Sequence, residues 1–236
     1  MRDQMSLKPQ CALCSVMKKV CMAENGVGPV FCPTLNCKES IALAIKEYES
    51  SEIREFARMA SVQEAECYAN RHIKPYVSHP VKPRVQEIVE FARKMSYTKL
   101  GVAFCAGLQA EAQALTEILN AQGFDVVSVN CKVGGTPKEV IGIIEDEKIR
   151  IGEFESMCSP IVQANLLNRE NSDFNILVGL CVGHDSLFFK YSKAFTTVLI
   201  SKDRVLAHNP AGALYTTGNY YARLLKPGID PPAEIL

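Results

Sequence analysis

Four short apolar runs constrain this chain more than any other feature: KLGVAF from Lys99, FDVVSV from Phe124, FNILVGL from Phe174 and FTTVLI from Phe195. A strand with one wet face alternates polar and apolar residues, whereas a strand covered on both faces is apolar along its whole length. Near-continuous apolar strands separated by helical stretches therefore predict an α/β domain with a parallel sheet of at least four strands, in a Rossmann-like three-layer arrangement. Helices are expected over residues 108–122, 160–170 and 184–193, with an irregular stretch before the second. The first strand runs into FCAGLQAEA, which lacks the GxGxxG of a dinucleotide-binding turn.

Upstream the period changes from strand-like to helical. Ile41, Ala44, Ile45 and Tyr48 share one face of a 3.6-residue repeat, and Ile53, Phe56, Ala57 and Ala60 share another. Two helices within 38–73, broken near Ser50 and Ser51, are expected from that pattern, and the second face extended forward makes Cys67 a core thiol. Pro75, Pro80 and Pro83 interrupt the helices and mark a boundary. A further helix then carries Val85, Ile88, Val89 and Ala92 on one face. The expected organisation is a Cys-rich metal-binding loop with helices over 1–80 and an α/β domain over 81–236. The closing KPGIDPPAEIL is expected to lie loosely on the surface.

Ten cysteines then need an explanation. The amino terminus is polar, without the apolar stretch of a secretory signal, and no apolar run is long enough to span a bilayer, so the chain reads as cytoplasmic with no membrane partner. In a reducing compartment clustered cysteines are metal ligands or redox centres rather than a disulfide framework. The 26 basic and 26 acidic side chains balance, leaving no basic stripe for a nucleic acid.

Five of the thiols fall in the first forty residues, in CALCSVMKKVC and FCPTLNC. Cys11 and Cys14 form a C-x2-C pair that brings two thiolates to one ion, and Cys21, Cys32 and Cys37 supply more ligands in a loop with little regular structure. Four of the five satisfy a tetrahedral zinc site. A single C-x2-C pair, irregular spacing and the Cys32-Pro33 dipeptide are also compatible with an iron–sulfur cluster such as 4Fe-4S. His72 and His79 are additional candidate ligands.

Most of the remaining thiols sort onto one edge of the expected sheet. Cys105 ends the first strand, Cys131 follows the second, Cys181 ends the third, and Cys158 precedes a helix that opens at Pro160. Ligands of open parallel sheets bind outside the carboxyl ends of the strands, so these four are candidates for a second, cofactor-binding or redox site. Cys158 and Cys181 also lie near helix amino termini, which favour thiolate. In GLCVGHDS, Cys181 with His184 as base is a candidate catalytic pair, with Asp185 or Ser186 read equally as a helix cap. Gly134 and Gly135, ahead of a capping box of Thr136 and Glu139, are a candidate anion site. His208 and Asn209 in AHNPAGALY read as a turn that could face the sheet edge.

CALCSVMKKVC, FCPTLNC, MCSPIVQANLLN and GLCVGHDSLFFKYSKAFTTVLISKDRVLAHNPAGALY together resemble an uncharacterised family of bacterial and archaeal proteins labelled predicted metal-binding proteins, from Cys11 to about Tyr215. The resemblance implies metal ligation by Cys11, Cys14, Cys21, Cys32 and Cys37, and extends less directly to Cys105, Cys131, Cys158 and Cys181. Its members are typical of anaerobes, which favours iron–sulfur chemistry over zinc. The resulting expectation is a metal-binding protein in redox or electron transfer, with a redox protein or small molecule as partner. The alternatives are a zinc-stabilised binding or regulatory protein without turnover, and a thiol-dependent enzyme using Cys158 or Cys181.

Overall fold

The computed structural model describes residues 8–226; the tail beyond Lys226, expected to lie on the surface, falls outside them. The chain divides after Ala65 into two compact units. The first holds the Cys-rich loop, α1 (Pro33–Asn36), α2 (Lys38–Lys46) and nearly all of α3 (Ser51–Glu66). The break expected near Ser50 is present, because Ser50 is extended at ψ 127°. The second helix ends at Glu66 rather than at residue 73, and Asn70 turns the chain through a left-handed φ of 58°. Cys67, just past the helix, is 7% exposed, in keeping with a core thiol.

Of the described residues in this first unit, Cys32 and Gln63 alone are buried. Ile41 and Ile45, predicted to form a buried face on α2, stay 40% and 60% exposed. A unit of this length has too little apolar chain to build a core of its own.

In the second unit the proline segment is tied back on itself, with Ala69 N donating to His79 O and Val81 N to Cys67 O, both at 2.9 Å. Then follow α4 (Arg84–Lys94), β1 (Lys99–Phe104), α5 (Gln109–Ala121), β2 (Asp125–Asn130), α6 (Pro160–Arg169), β3 (Phe174–Val178), α7 (His184–Tyr191), β4 (Phe195–Ile200) and the short α8 (Ala211–Tyr215). All the strand pairs are parallel, in the order β2-β1-β3-β4. The α/β reading is thus correct.

Burial follows position in the sheet: β3 is buried throughout and β1 after its first residue, while the edge strands β2 and β4 are only partly covered. From β1 the chain moves one way to β2, then crosses back to β3 and β4 on the other side. Right-handed crossovers set α5 on one face and α6 and α7 on the other. Between β1 and β3 the direction of winding reverses, and that switch point opens a crevice at the carboxyl ends of both strands.

One close approach holds the central strands together. Asn175 on β3 is fully buried, accepting from Ser172 Oγ at 2.7 Å and donating to Ser192 Oγ at 2.9 Å. Opposite it in register is Gly101, where a Cβ would collide with Asn175 Oδ1 and the Leu167 side chain. Gly101→Ala is expected to destabilise the protein by about 1–3 kcal/mol through overpacking, read as a lower urea midpoint with an unchanged slope; an unchanged midpoint would show that the Asn175 amide has room to move.

Candidate functional site

β1 and β2 run in register from Lys99 opposite Asp125 to Phe104 opposite Asn130, and one step further sets Cys105 beside Cys131. The ladder continues into that step, since Cys131 N donates to Phe104 O at 2.8 Å and Cys105 N to Val178 O at 3.1 Å. Residues paired across parallel strands project to the same side, so the two thiols meet. Cys158 joins them from the irregular stretch because Ser159 N, at the start of α6, donates to Cys131 O at 2.7 Å. Cys105 and Cys158 pack against the core cluster that holds Cys131, so the three sulfurs are neighbours that act on one another electrostatically. Cys131 is 2% exposed, while Cys105 and Cys158 are half-buried against the same core cluster.

Cations surround the three sulfurs. Lys202 Nζ donates to Cys105 Sγ at 3.3 Å, and Gly107 leaves open the space beside both groups. Lys132 stands by Cys158 and is itself fixed by Ser156 O at 2.6 Å. Ala106 N donates to Cys131 Sγ at 3.3 Å. The Cys131 hydrogen bond, joined by the Gly107 N–H and Lys202, holds Cys105 down to about 4 against the opposing effect of burial. For Cys158 the same Cys131 hydrogen bond leads, with Lys132 and His184 assisting, and brings it to about 5. Cys131 moves in the opposite direction, held protonated by its two thiolate neighbours and by burial. The arrangement is two thiolates around one thiol, balanced by two lysines.

Cys181 ends at the same edge but is engaged differently. Arg204 donates to its Sγ at 3.0 Å. His184, expected as its catalytic base, gives its backbone N–H to Cys181 O at 2.9 Å while its imidazole acts electrostatically on Cys158. Asp185 Oδ1 accepts from Gly183 N and Ser186 N, but it sits inside the first turn of α7, whose N-cap position is taken by Gly183 with no side-chain cap. His208 shapes the loop rather than the site: its Nδ1 accepts from Asp203 N at 3.1 Å, and Asp203 Oδ1 accepts from Val205 N and Leu206 N. That loop carries both Lys202 and Arg204. The helix expected after Thr136 is only a 3-10 turn, Lys138–Ile141, without a side-chain cap, and Glu139 pairs with Lys148 at 2.6 Å.

A second group of thiols lies within the first unit. Cys11, Cys14, Cys21 and Cys32 line one cavity of about 180 Å3, with Val20, Met22, Val27 and Phe31 among its walls. Cys37, at the start of α2, does not line it. The loop closes on itself through Val20 N to Val27 O and Val27 N to Lys18 O, both at 2.9 Å. Two glycines permit this: a Cβ at Gly26 would strike the Lys19 backbone, and one at Gly28 would lie 2.8 Å from Cys32 Sγ. Among the described residues no three His, Cys, Asp or Glu side chains stand in metal-coordinating geometry. His72 and His79 are exposed and line neither site. No helix of the described residues is long and apolar enough to cross a membrane.

Lys132, Lys202 and Arg204 were not legible as site residues from spacing alone. The available signal was their place, directly after the second and fourth strands in NCKVGG and ISKDR.

A family described as a protein of unknown function (DUF1847) matches residues 32–199. An archaeal relative from Methanocaldococcus jannaschii, named Uncharacterized protein MJ0455, is 43% identical over 220 residues, which is 93% of this chain and 99% of that protein. No solved structure matches.

Because Cys105 is held as thiolate well below the ordinary thiol range, its alkylation by iodoacetamide is expected to be nearly independent of pH from about 6 to 9, where an ordinary thiol gains reactivity through about 8.5. Lys202→Met is expected to shift the onset to higher pH, since the cation favours the charged form. Peptide mapping by mass spectrometry reads both, and a Cys105 profile rising like that of a free thiol would contradict the assignment.

Proposed function

We propose that this chain, which belongs to the DUF1847 family, is a metal-binding protein with a redox role whose centre is an iron–sulfur cluster held by Cys11, Cys14, Cys21 and Cys32. The observation that carries this reading is the single cavity lined by those four thiols, with Cys37 outside it. The donor set fits the group: four cysteine sulfurs are what a cluster requires, and apolar side chains stand among them in the same cavity. Gly28 supports the assignment, because any side chain there would take the space beside Cys32 Sγ.

Folding energetics point the same way. The first unit buries almost nothing, and small modules of that kind draw their stability from metal–thiolate bonds. When bound, a cluster would supply one-electron chemistry; this chain's own part is to wrap the loop and bring the four sulfurs to one cavity. Zinc in the same four-thiolate site is the second reading, favoured by the adequacy of that donor set for tetrahedral coordination. It would make the unit a structural clip in a binding or regulatory protein.

Anaerobic purification with counts of iron, zinc and acid-labile sulfide decides between them. The expected outcome is a brown protein with sulfide matching iron, in which Cys14→Ser loses the visible absorption and Cys37→Ser keeps it. Stoichiometric zinc without sulfide would overturn the cluster, and loss of metal in Cys37→Ser would overturn the ligand set.

A further inference from the structure

The three thiols at the sheet edge share no residue with the proposed metal centre, and their chemistry does not depend on it. We propose that Cys105, Cys131 and Cys158 form a thiol–disulfide exchange site that reduces a low-molecular-weight disulfide carrying anionic groups, closing a Cys105–Cys131 disulfide while Cys158 accepts the proton of Cys131.

The register supplies the first condition. Residues paired across parallel strands sit about 4.8 Å apart, inside the range of about 4.4–6.8 Å that a disulfide spans between Cα atoms. Cys105 and Cys131 occupy successive ladder positions on neighbouring strands, so the bond can close without displacing the sheet. None of the three is in a disulfide in this structure.

Exposure assigns the roles. Cys105 is half-buried beside the open backbone of Gly107, whereas Cys131 is sealed in the core cluster. An external disulfide can therefore meet Cys105 and not Cys131. The Cys105 thiolate, paired with Lys202, attacks one sulfur of the substrate R–S–S–R, forming Cys105–S–S–R and expelling R–S⁻. Cys131 must then lose its proton. The charge on its Cys105 neighbour has disappeared into the mixed disulfide, and Cys158, drawn against Cys131 by the Ser159 N to Cys131 O hydrogen bond and packed on the same core cluster, is the neighbouring sulfur that receives the proton. Deprotonated Cys131 attacks Cys105 Sγ, closing the internal disulfide and expelling the second R–S⁻. Two protein sulfurs lose two electrons in total, the substrate disulfide gains them, and one proton passes from Cys131 to Cys158.

Charge selects the substrate. Lys202 stands by Cys105 and Lys132 by Cys158, with Arg204 on the neighbouring Cys181, and the Asp203 carboxylate accepts from backbone N–H groups of its own loop. When Cys105 enters the mixed disulfide Lys202 loses its thiolate partner and offers a cation to a carboxylate of the bound half, which favours a small disulfide bearing carboxylates.

The test uses the full chain, reduced under anaerobic conditions and mixed with glutathione disulfide. Peptide mapping is expected to find Cys105 linked to Cys131, with two equivalents of glutathione thiol released for each linkage. Cys131→Ser is expected to stop at a glutathione adduct on Cys105, and Cys158→Ser still to form that adduct but resolve it about 100-fold more slowly than the wild-type chain, the scale of a lost proton acceptor. Uncharged hydroxyethyl disulfide is expected to react about tenfold more slowly than glutathione disulfide. Equal rates would remove the selection for anionic substrates. Adducts confined to other cysteines, with Cys105 and Cys131 unlinked in the wild-type chain, would overturn the site even if a variant failed to fold. A chain without metal that still links Cys105 to Cys131, or a metal-loaded chain that does not, separates this inference from the proposed cluster.

Discussion

Everything at the sheet edge depends on the register between β1 and β2. A slip of one residue would turn alternate side chains to the opposite face and send Cys131 away from Cys105. Two devices hold the register where the strands end. The Gln163 side chain on α6, fully buried, donates to Phe104 O at 3.2 Å and to Val129 O at 2.7 Å, bridging both strands one or two residues before the cysteines. The second device is the Ser159 to Cys131 hydrogen bond, which anchors the start of the same helix. A single helix thus fixes the register of the ladder and delivers Cys158 to it.

Packing brings three thiols together, and electrostatics then decides what they are. Three adjacent thiolates would repel too strongly in a half-buried setting, so the least exposed sulfur keeps its proton and hydrogen-bonds to the others. Cations need not be buried to enforce this. Lys202 and Arg204 arrive on the loop after β4, where the left-handed turn at Ala207 and His208 folds the chain back and His208 Nδ1 grips Asp203 N. The loop spends its polar groups on its own backbone and leaves its cationic ends facing sulfur.

How much of this was legible depends on which forces act locally. The strands and the helices between them could be read because burial on both faces is written directly as uninterrupted apolar runs. That Cys105, Cys131, Cys158 and Cys181 share an edge could be read too, because the strand ends of a parallel sheet all lie on one side. Spacing could not reveal which thiols touch: Cys131 joins Cys105 and Cys158, whereas Cys181 pairs with Arg204, a distinction fixed by strand order and by a loop of the irregular kind. Periodicity also overstated α2, since an amphipathic repeat predicts a face that prefers burial and not the presence of something to bury it. The capping box at Thr136 failed for a similar reason. The turn starts at Lys138 with Pro137 rather than Thr136 at its N-cap position, and Lys148 takes the Glu139 carboxylate.

The two groups of thiols stand under opposite physical demands, and this gives the sequence its odd distribution of cysteine. In the first unit there is scarcely a hydrophobic core, and on the proposed reading its sulfurs hold the chain through metal–thiolate bonds and are poorly suited to chemistry that would release them. The second unit draws its stability chiefly from the apolar strands, the Asn175 network and the packing of Phe91 and Tyr97 on Phe174 at 5.6 and 5.7 Å, with Cys131 only one side chain among many in its core cluster. Its edge thiols are therefore free to change covalent state without unfolding the scaffold that positions them. A sulfur that can be oxidised and restored has to sit on a frame that does not need it, and the carboxyl edge of this sheet is where such a frame exists in the chain.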